Sequence, residues 1–183
     1  MDKYVAMSFD DGYKDNYTAV FPLLKKYNAK ATFAVINIMI GKKDLYMTES
    51  DIKEMIAGGM EIASHTTSHN PLAEIDRKYL EWEIGTSKYI LEKRFPGLVV
   101  KTLAYPNGSY NDEIIAALKK YGYNQALTGH TGLNSHAFYN DHPMEMNRVI
   151  VVDDGKGPKQ ITGLLRRGCR RSLLLEYGID IGE

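Results

Sequence analysis

The chain contains one cysteine, Cys169, in 183 residues, so no internal disulfide framework holds it together. A single thiol leaves the compartment open. Neither charge is in excess, because 23 Lys and Arg face 23 Asp and Glu for a formal net charge of zero. That balance speaks against a general binder of nucleic acid or of membrane surfaces, which would carry a basic excess. No apolar run approaches the roughly 20 residues that cross a bilayer. A cleavable leader is not expected either, since Met1-Asp2-Lys3 leads straight into a strand-like segment. Internal repeats, low-complexity tracts and clear linkers are also missing. What is left is a length suited to one domain, with enough residues to bury a core without disulfides or structural metals.

The apolar pattern alternates between two periods. Residues 5–9 read as a short buried strand ending in the turn signal Asp10-Asp11-Gly12. Across residues 16–27, Val20, Leu23, Leu24 and Tyr27 fall at helical spacing, and Pro22 suits a first turn. Residues 31–36 form the next strand. Thr48 can cap a helix that carries Asp51 at the capping-box position, turns Ile52, Met55 and Ile56 inward and ends at Gly58-Gly59. Residues 60–63 read as a third strand. The longest helical pattern covers residues 76–95, with Leu80, Ile84, Ser87 and Leu91 on one face and Pro96-Gly97 as the stop. Residues 99–105 form a strand running into Pro106-Asn107-Gly108, and residues 111–121 a helix stopped by Gly122. Strands are expected at 125–128 and 148–152 and a helix at 158–167. Residues 1–170 are expected to make the domain and 171–183 a tail, because Arg171-Ser172-Leu173-Leu174-Leu175 breaks the pattern. Alternation of this kind predicts a parallel α/β architecture. The chemically loaded residues follow strand ends, where α/β barrels gather their active sites.

His65 and His69, four residues apart, can share one metal ion, and Asp10 or Asp11 can complete the set. A catalytic zinc site takes three protein ligands and keeps one position for water. Binding lowers the pKa of that water towards about 7. A second carboxylate, unbound and close by, is then needed to take the proton. Adjacent aspartates at a strand end can point in different directions, and Gly12 lets the backbone turn tightly behind them. Taken singly, Asp-Asp-Gly is usually only a turn and His-x-x-x-His is often incidental. Their joint occurrence after successive strands of one small α/β chain is far less so.

Ser8-Phe9-Asp10-Asp11-Gly12, Ser64-His65-Thr66-Thr67-Ser68-His69 and Ala104-Tyr105-Pro106-Asn107-Gly108 resemble, in this order, the first three motifs of the polysaccharide deacetylases, the NodB-homology or carbohydrate esterase family 4. Ala31-Thr32-Phe33, Gly58-Gly59-Met60-Glu61-Ile62 and Gly122-Tyr123 add to the likeness, which spans about residues 4–152. The resemblance implies a deformed (β/α) barrel, related to the TIM barrel, with fewer than eight complete units. It implies hydrolysis of N-acetyl groups on an acetylated polysaccharide, such as peptidoglycan, chitin oligomers or poly-N-acetylglucosamine. An O-acetyl esterase acting on xylan, or a binding protein without catalysis, are the alternatives. Asp11, His65 and His69 would hold one divalent metal, usually zinc, with cobalt, nickel or manganese in some members. Asp10 would be the general base, and a backbone N–H at Asn107 would help hold the oxyanion, while Tyr105, Pro106 and Tyr110 would contact substrate. An extracellular or cell-envelope location goes with such substrates.

Two departures stand out. The third motif commonly begins with an arginine that orients the base, and here that position is Ala104. Arg148, in Asn147-Arg148-Val149-Ile150, matches a late arginine of the small Ala-Tyr-Pro members and is expected to take that task. No Leu-x-His stands in the C-terminal third, where many members keep the acid histidine. His130, His136 and His142 are the candidates, with His130 nearest a strand end. Trp82 and Tyr139 are weaker sugar-stacking candidates, and Trp82 fits helix packing better.

Overall fold

The structure, a computed structural model, describes residues 5–151 and Gly163. They belong to two compact units, Met1–Asn124 and Gln125–Glu183. The tail at 171–183 and the helix expected at 158–167 lie outside the described residues, Gly163 apart.

In the first unit, strands β1 (Ser8–Phe9), β2 (Thr32–Val35), β3 (Glu61–Ser64) and β4 (Thr102–Ala104) pair in parallel in sequence order. Phe9 lies opposite Phe33, Val35 opposite Ser64, and Ser64 opposite Leu103. Parallel pairing at this register makes the strands finish along one edge. Asp10, His65 and Tyr105 are the next residues out. The first strand is shorter than expected, with Val5 80% exposed. Among the described residues of this unit β1 pairs with β2 alone, and just before it Met7 O accepts from Thr32 N at 3.0 Å.

Helices α1 (Phe21–Lys26), α2 (Glu49–Ala57), α3 (Ser87–Arg94) and α4 (Asp112–Lys120) flank these strands in sequence. The buried core includes Phe33, Ile52, Met55, Ile62, Ile84, Leu91, Leu103 and Leu118. Each such side chain contributes about 1.5–3 kcal/mol relative to exposure. The start of α2 follows the sequence reading: Thr48 Oγ1 accepts from Asp51 N at 3.3 Å, and Asp51 Oδ2 accepts from Thr48 N at 2.7 Å. Lys14 Nζ reaches the same carboxylate at 2.5 Å.

Two helices depart from regular spacing. A π-helical stretch, Asn16–Val20, precedes α1 and turns its face. Phe21 and Leu24 are buried, while Leu23 and Tyr27, which fall at helical spacing, are 55% and 71% exposed. A second π-helical stretch, Glu81–Thr86, runs into α3. There Leu80, Ile84, Ser87 and Leu91 are buried as their spacing predicts, and Glu83 joins them. A Cβ on Gly85 would sit 2.6 Å from the Tyr121 ring, so a larger residue there would have to displace that ring.

In the second unit, β5 (Gln125–Thr131) and β6 (Met146–Arg148) pair in parallel, with Leu127 opposite Met146 and Thr131 opposite Arg148. The last strand among the described residues is thus Met146–Arg148, where the sequence pattern predicts 148–152, and residue 152 lies outside them. The apolar run after Arg148 looks strand-like, but Ile150 and Val151 are exposed and pairing selects the residues before them. The sequence reading also lacks α5 (His136–Asp141), whose N-cap Ser135 accepts from Phe138 N at 3.0 Å. Among the described residues, four strands in one unit and two in the other are fewer than the eight of a complete barrel.

Candidate metal centre

Asp10 and Asp11 leave the end of β1 in a tight turn. Gly12 N donates to Asp10 O at 2.9 Å. Asp11 and Gly12 both take left-handed backbone conformations, at φ 70° and 77°. A Cβ on Gly12 would meet Val35 Cγ1 at 3.2 Å, so glycine is needed both for the conformation and for the close approach to β2.

His65 and His69 leave the end of β3. The His65 side chain is 3% exposed and that of His69 31%. Their rings lie 4.7 Å apart at 72°. Asp11 Oδ1 is 3.4 Å from Nε2 of each histidine. Bonds of about 2.0–2.1 Å to a tetrahedral ion separate its ligand atoms by about 3.4 Å. The spacing therefore fits one zinc-sized ion, and all three ligand atoms lie within 4.8 Å of one another.

Donor chemistry points the same way. His65 Nδ1 is 2.8 Å from Ala104 O. A carbonyl only accepts, so Nδ1 carries a hydrogen and Nε2 is the nitrogen that faces Asp11. Nε2 and a carboxylate oxygen at this distance take a cation or a proton between them. The carbonyl contact is also the outer support that fixes a ligating histidine's tautomer. Hydrogen bonding with His65 holds the Asp11 carboxyl below its usual range against the opposing effect of burial, and the charges of His65 and His69 add to this. Burial and the neighbouring His65 hold His69 below the usual value of 6.5. Both directions favour an ionised Asp11 and a neutral His69, the forms that bind a metal.

Backbone strain concentrates here. Thr66 and His69 are left-handed at φ 65° and 67°, as is Asn107 at φ 53° in the turn Pro106–Gly108 beyond β4. Such residues persist only where their surroundings over-determine them, and they cluster at functional sites. The histidine loop is held by His69 N donating to Thr66 Oγ1 at 2.9 Å and Thr66 N donating to Ser64 Oγ at 3.1 Å. Ile38 N donates to Thr67 O at 3.1 Å from the loop beyond β2. Glu83 lies beneath the loop.

The expected site residues of the first unit thus gather at one strand edge. Asp10, Asp11, His65 and His69 do so directly, and Tyr105, Pro106, Asn107 and Tyr110 follow the end of β4. Tyr105 is buried and stacks on the half-buried Tyr110 at 4.7 Å, so Tyr110 offers the more accessible ring. Arg148 and His130 belong to the second unit. Arg148 Nε donates to Thr128 O at 2.8 Å, and His130 is an exposed residue within β5. His136 and His142 are surface residues near Asn140 and Glu145. Trp82 is half exposed on the π-helical stretch.

Sequence reasoning passed over Glu83 and Tyr13. Glu83 stands three residues after Leu80, on the edge of the buried face, and that position was its only signal. Tyr13 follows the Asp-Asp-Gly turn and stacks on Tyr46 at 5.2 Å. The Asp11 charge pushes its hydroxyl pKa up, with burial adding to the effect.

A family model described as polysaccharide deacetylase matches residues 1–126. YxkH of Bacillus subtilis (strain 168), whose name places it among polysaccharide deacetylases, is 38% identical over 134 residues, covering 73% of this chain and 47% of its own. The peptidoglycan-N-acetylglucosamine deacetylase of Bacillus cereus is 33% identical over 129 residues, covering 69% of this chain and 56% of its own. The chain spans about half the length of these curated relatives. The solved structure of the Streptococcus pyogenes deacetylase PplD in complex with acetate is similar at a TM-score of 0.80 and 28% identity, covering 90% of this chain and 71% of the other.

Proposed function

The chain belongs to the polysaccharide deacetylase family, and from that premise we propose that it is a metal-dependent hydrolase removing N-acetyl groups from a polymer containing N-acetylglucosamine. The observation that carries the reading is the convergence of Asp11, His65 and His69 at the spacing of a tetrahedral ion, with Asp10 next to Asp11 in the chain. The name of the Bacillus cereus relative supports an N-acetylated sugar as the substrate class.

In this reading Asp11, His65 and His69 hold the ion, zinc being the first choice for two imidazoles and a carboxylate. When bound, such an ion supplies Lewis acidity to an acetyl carbonyl and makes water a better nucleophile. Asp10 takes the proton from the attacking water. The Asn107 N–H faces the oxyanion that develops on the carbonyl, a contribution of about 3 kcal/mol. Tyr110, backed by Tyr105 and Pro106, meets the sugar. Arg148 as orienter of the base rests on the sequence resemblance, and His130 as proton donor to the leaving amine on its place near a strand end in the sequence. Residues 1–170 are the proposed deacetylase domain, acting on cell-envelope or extracellular polymers.

The test is acetate release by the metal-stripped chain, with and without added zinc, from peptidoglycan fragments, chitin oligomers, poly-N-acetylglucosamine and acetyl-xylan. Zinc-dependent release from one of the first three is expected. Release from xylan alone would reassign the chain to O-acetyl chemistry. Ala104 in place of the motif arginine favours a second reading, a carbohydrate-binding protein without catalysis. That reading predicts oligosaccharide binding with no acetate under any metal supply.

A further inference from the structure

Glu83 is a carboxylate with no part in the reaction described above, yet it is 1% exposed. Glutamate is rarely buried so completely without fixed partners. Its partners all come from the short segment joining the two histidines and the residue just beyond it. Glu83 Oε2 accepts from Thr67 N at 3.1 Å and Ser68 N at 2.9 Å. Glu83 Oε1 accepts from Ser68 Oγ and from Asn70 Nδ2, the latter at 3.0 Å. One residue earlier, Trp82 O accepts from Thr67 Oγ1 at 2.6 Å. Both groups lie on the π-helical stretch Glu81–Thr86, a helix irregularity of a kind that often marks functional sites.

The segment so held is strained at both ends. Thr66 and His69 are left-handed, and neither is a glycine. Left-handed threonine and histidine persist only where other contacts enforce them. Glu83 takes the N–H groups of the two residues between them, which fixes the path of the backbone from His65 to His69. His65 has its own support in β3 and the Ala104 carbonyl. His69 is the more exposed ligand, and its alignment depends on this loop.

We propose that Glu83 is a positioning residue for the metal centre. Its buried carboxylate pins residues 67, 68 and 70, so that His69 presents Nε2 beside Asp11 before any ion arrives. The inference rests on the metal-centre reading and adds to it the device that preforms the site.

Glu83→Gln is the first test. The amide places an N–H₂ where the loop offers only hydrogens, so loop contacts are lost with little change in size. Metal affinity is measured by chelator competition, the ligand field by Co²⁺ absorption, and folding of the metal-free protein by circular dichroism and melting. The expected result is a folded apo-protein that binds zinc about 10–100-fold more weakly, with an altered Co²⁺ spectrum. A folded Glu83→Gln with wild-type affinity and spectrum would overturn the proposal. Should Glu83→Gln not fold, Ser68→Ala, which removes one hydrogen from the same carboxylate, decides. Weaker zinc binding with a shifted Co²⁺ band supports the proposal, and unchanged values overturn it. If wild-type protein binds no metal at all, the metal-centre reading fails, and this inference with it. Normal wild-type binding with unaffected variants sinks the inference alone.

Discussion

The loop bearing the two histidines and the turn bearing the two aspartates deliver ligands to one point by different means. The histidine loop is held by side chains: Ser64, Thr66 and Glu83 take its backbone N–H groups, and the Ala104 carbonyl fixes the His65 ring. The aspartate turn is held by its backbone, through two successive left-handed residues, hydrogen bonds from Gly12 N to Asp10 O and from Met47 N to Gly12 O, and a glycine pressed on Val35. The first arrangement spreads its support over a buried polar network. The second concentrates it in one conformation that few residues adopt. The proposed metal centre accounts for the difference: in it the two histidines need their ring directions set, whereas the two aspartates take different roles.

The largest effects should come from the ligands themselves. Asp11→Ala and His65→Ala each leave two ligands of three, and tight zinc binding should vanish in both by chelator competition while the apo-proteins remain folded. Retained tight binding in either would break the idea that both regions serve one ion. Asp10→Asn should separate the roles within the aspartate turn. Its rate of acetate release should fall about 10²–10⁴-fold, the usual weight of a general base, with zinc affinity unchanged. Loss of zinc binding in that variant would exchange the roles of the two aspartates.

Gly12→Ala probes the backbone device. Forcing alanine to φ 77° against Val35 should cost about 1–2 kcal/mol, seen as a lower melting temperature, and should weaken zinc binding by displacing Asp11. Wild-type zinc affinity in Gly12→Ala would show that the turn tolerates other conformations. Thr48→Ala is the smallest change and the control. Removing that cap should lower stability by about 1 kcal/mol and leave zinc affinity and the Co²⁺ spectrum untouched. A metal effect there would mean that general destabilisation, not local geometry, governs the site.

Legibility in the sequence followed how local the cause was. Asp10, Asp11, His65 and His69 stand next to strand ends, so an apolar run followed by a polar cluster marked them. The Thr48–Asp51 cap is a four-residue signal, and the face of Leu80, Ile84, Ser87 and Leu91 is plain helical spacing. The π-helical stretches left no such trace. The stretch at Asn16–Val20 turned Leu23 and Tyr27 outward, because one wide turn shifts every later side chain. Glu83 was hidden for a related reason: glutamate on a helix reads as solvent-facing until the loop that buries it is known. Strand β6 was misplaced because pairing with β5, a long-range choice, selects Met146–Arg148 over the more apolar residues that follow.

Titration of metal-stripped wild-type chain with zinc, alongside His65→Ala, tests most directly that Asp11, His65 and His69 form one metal site. The account predicts one ion per wild-type chain, bound tightly, and no tight binding in the variant. No binding by the wild type, or equal binding by both proteins, would contradict it.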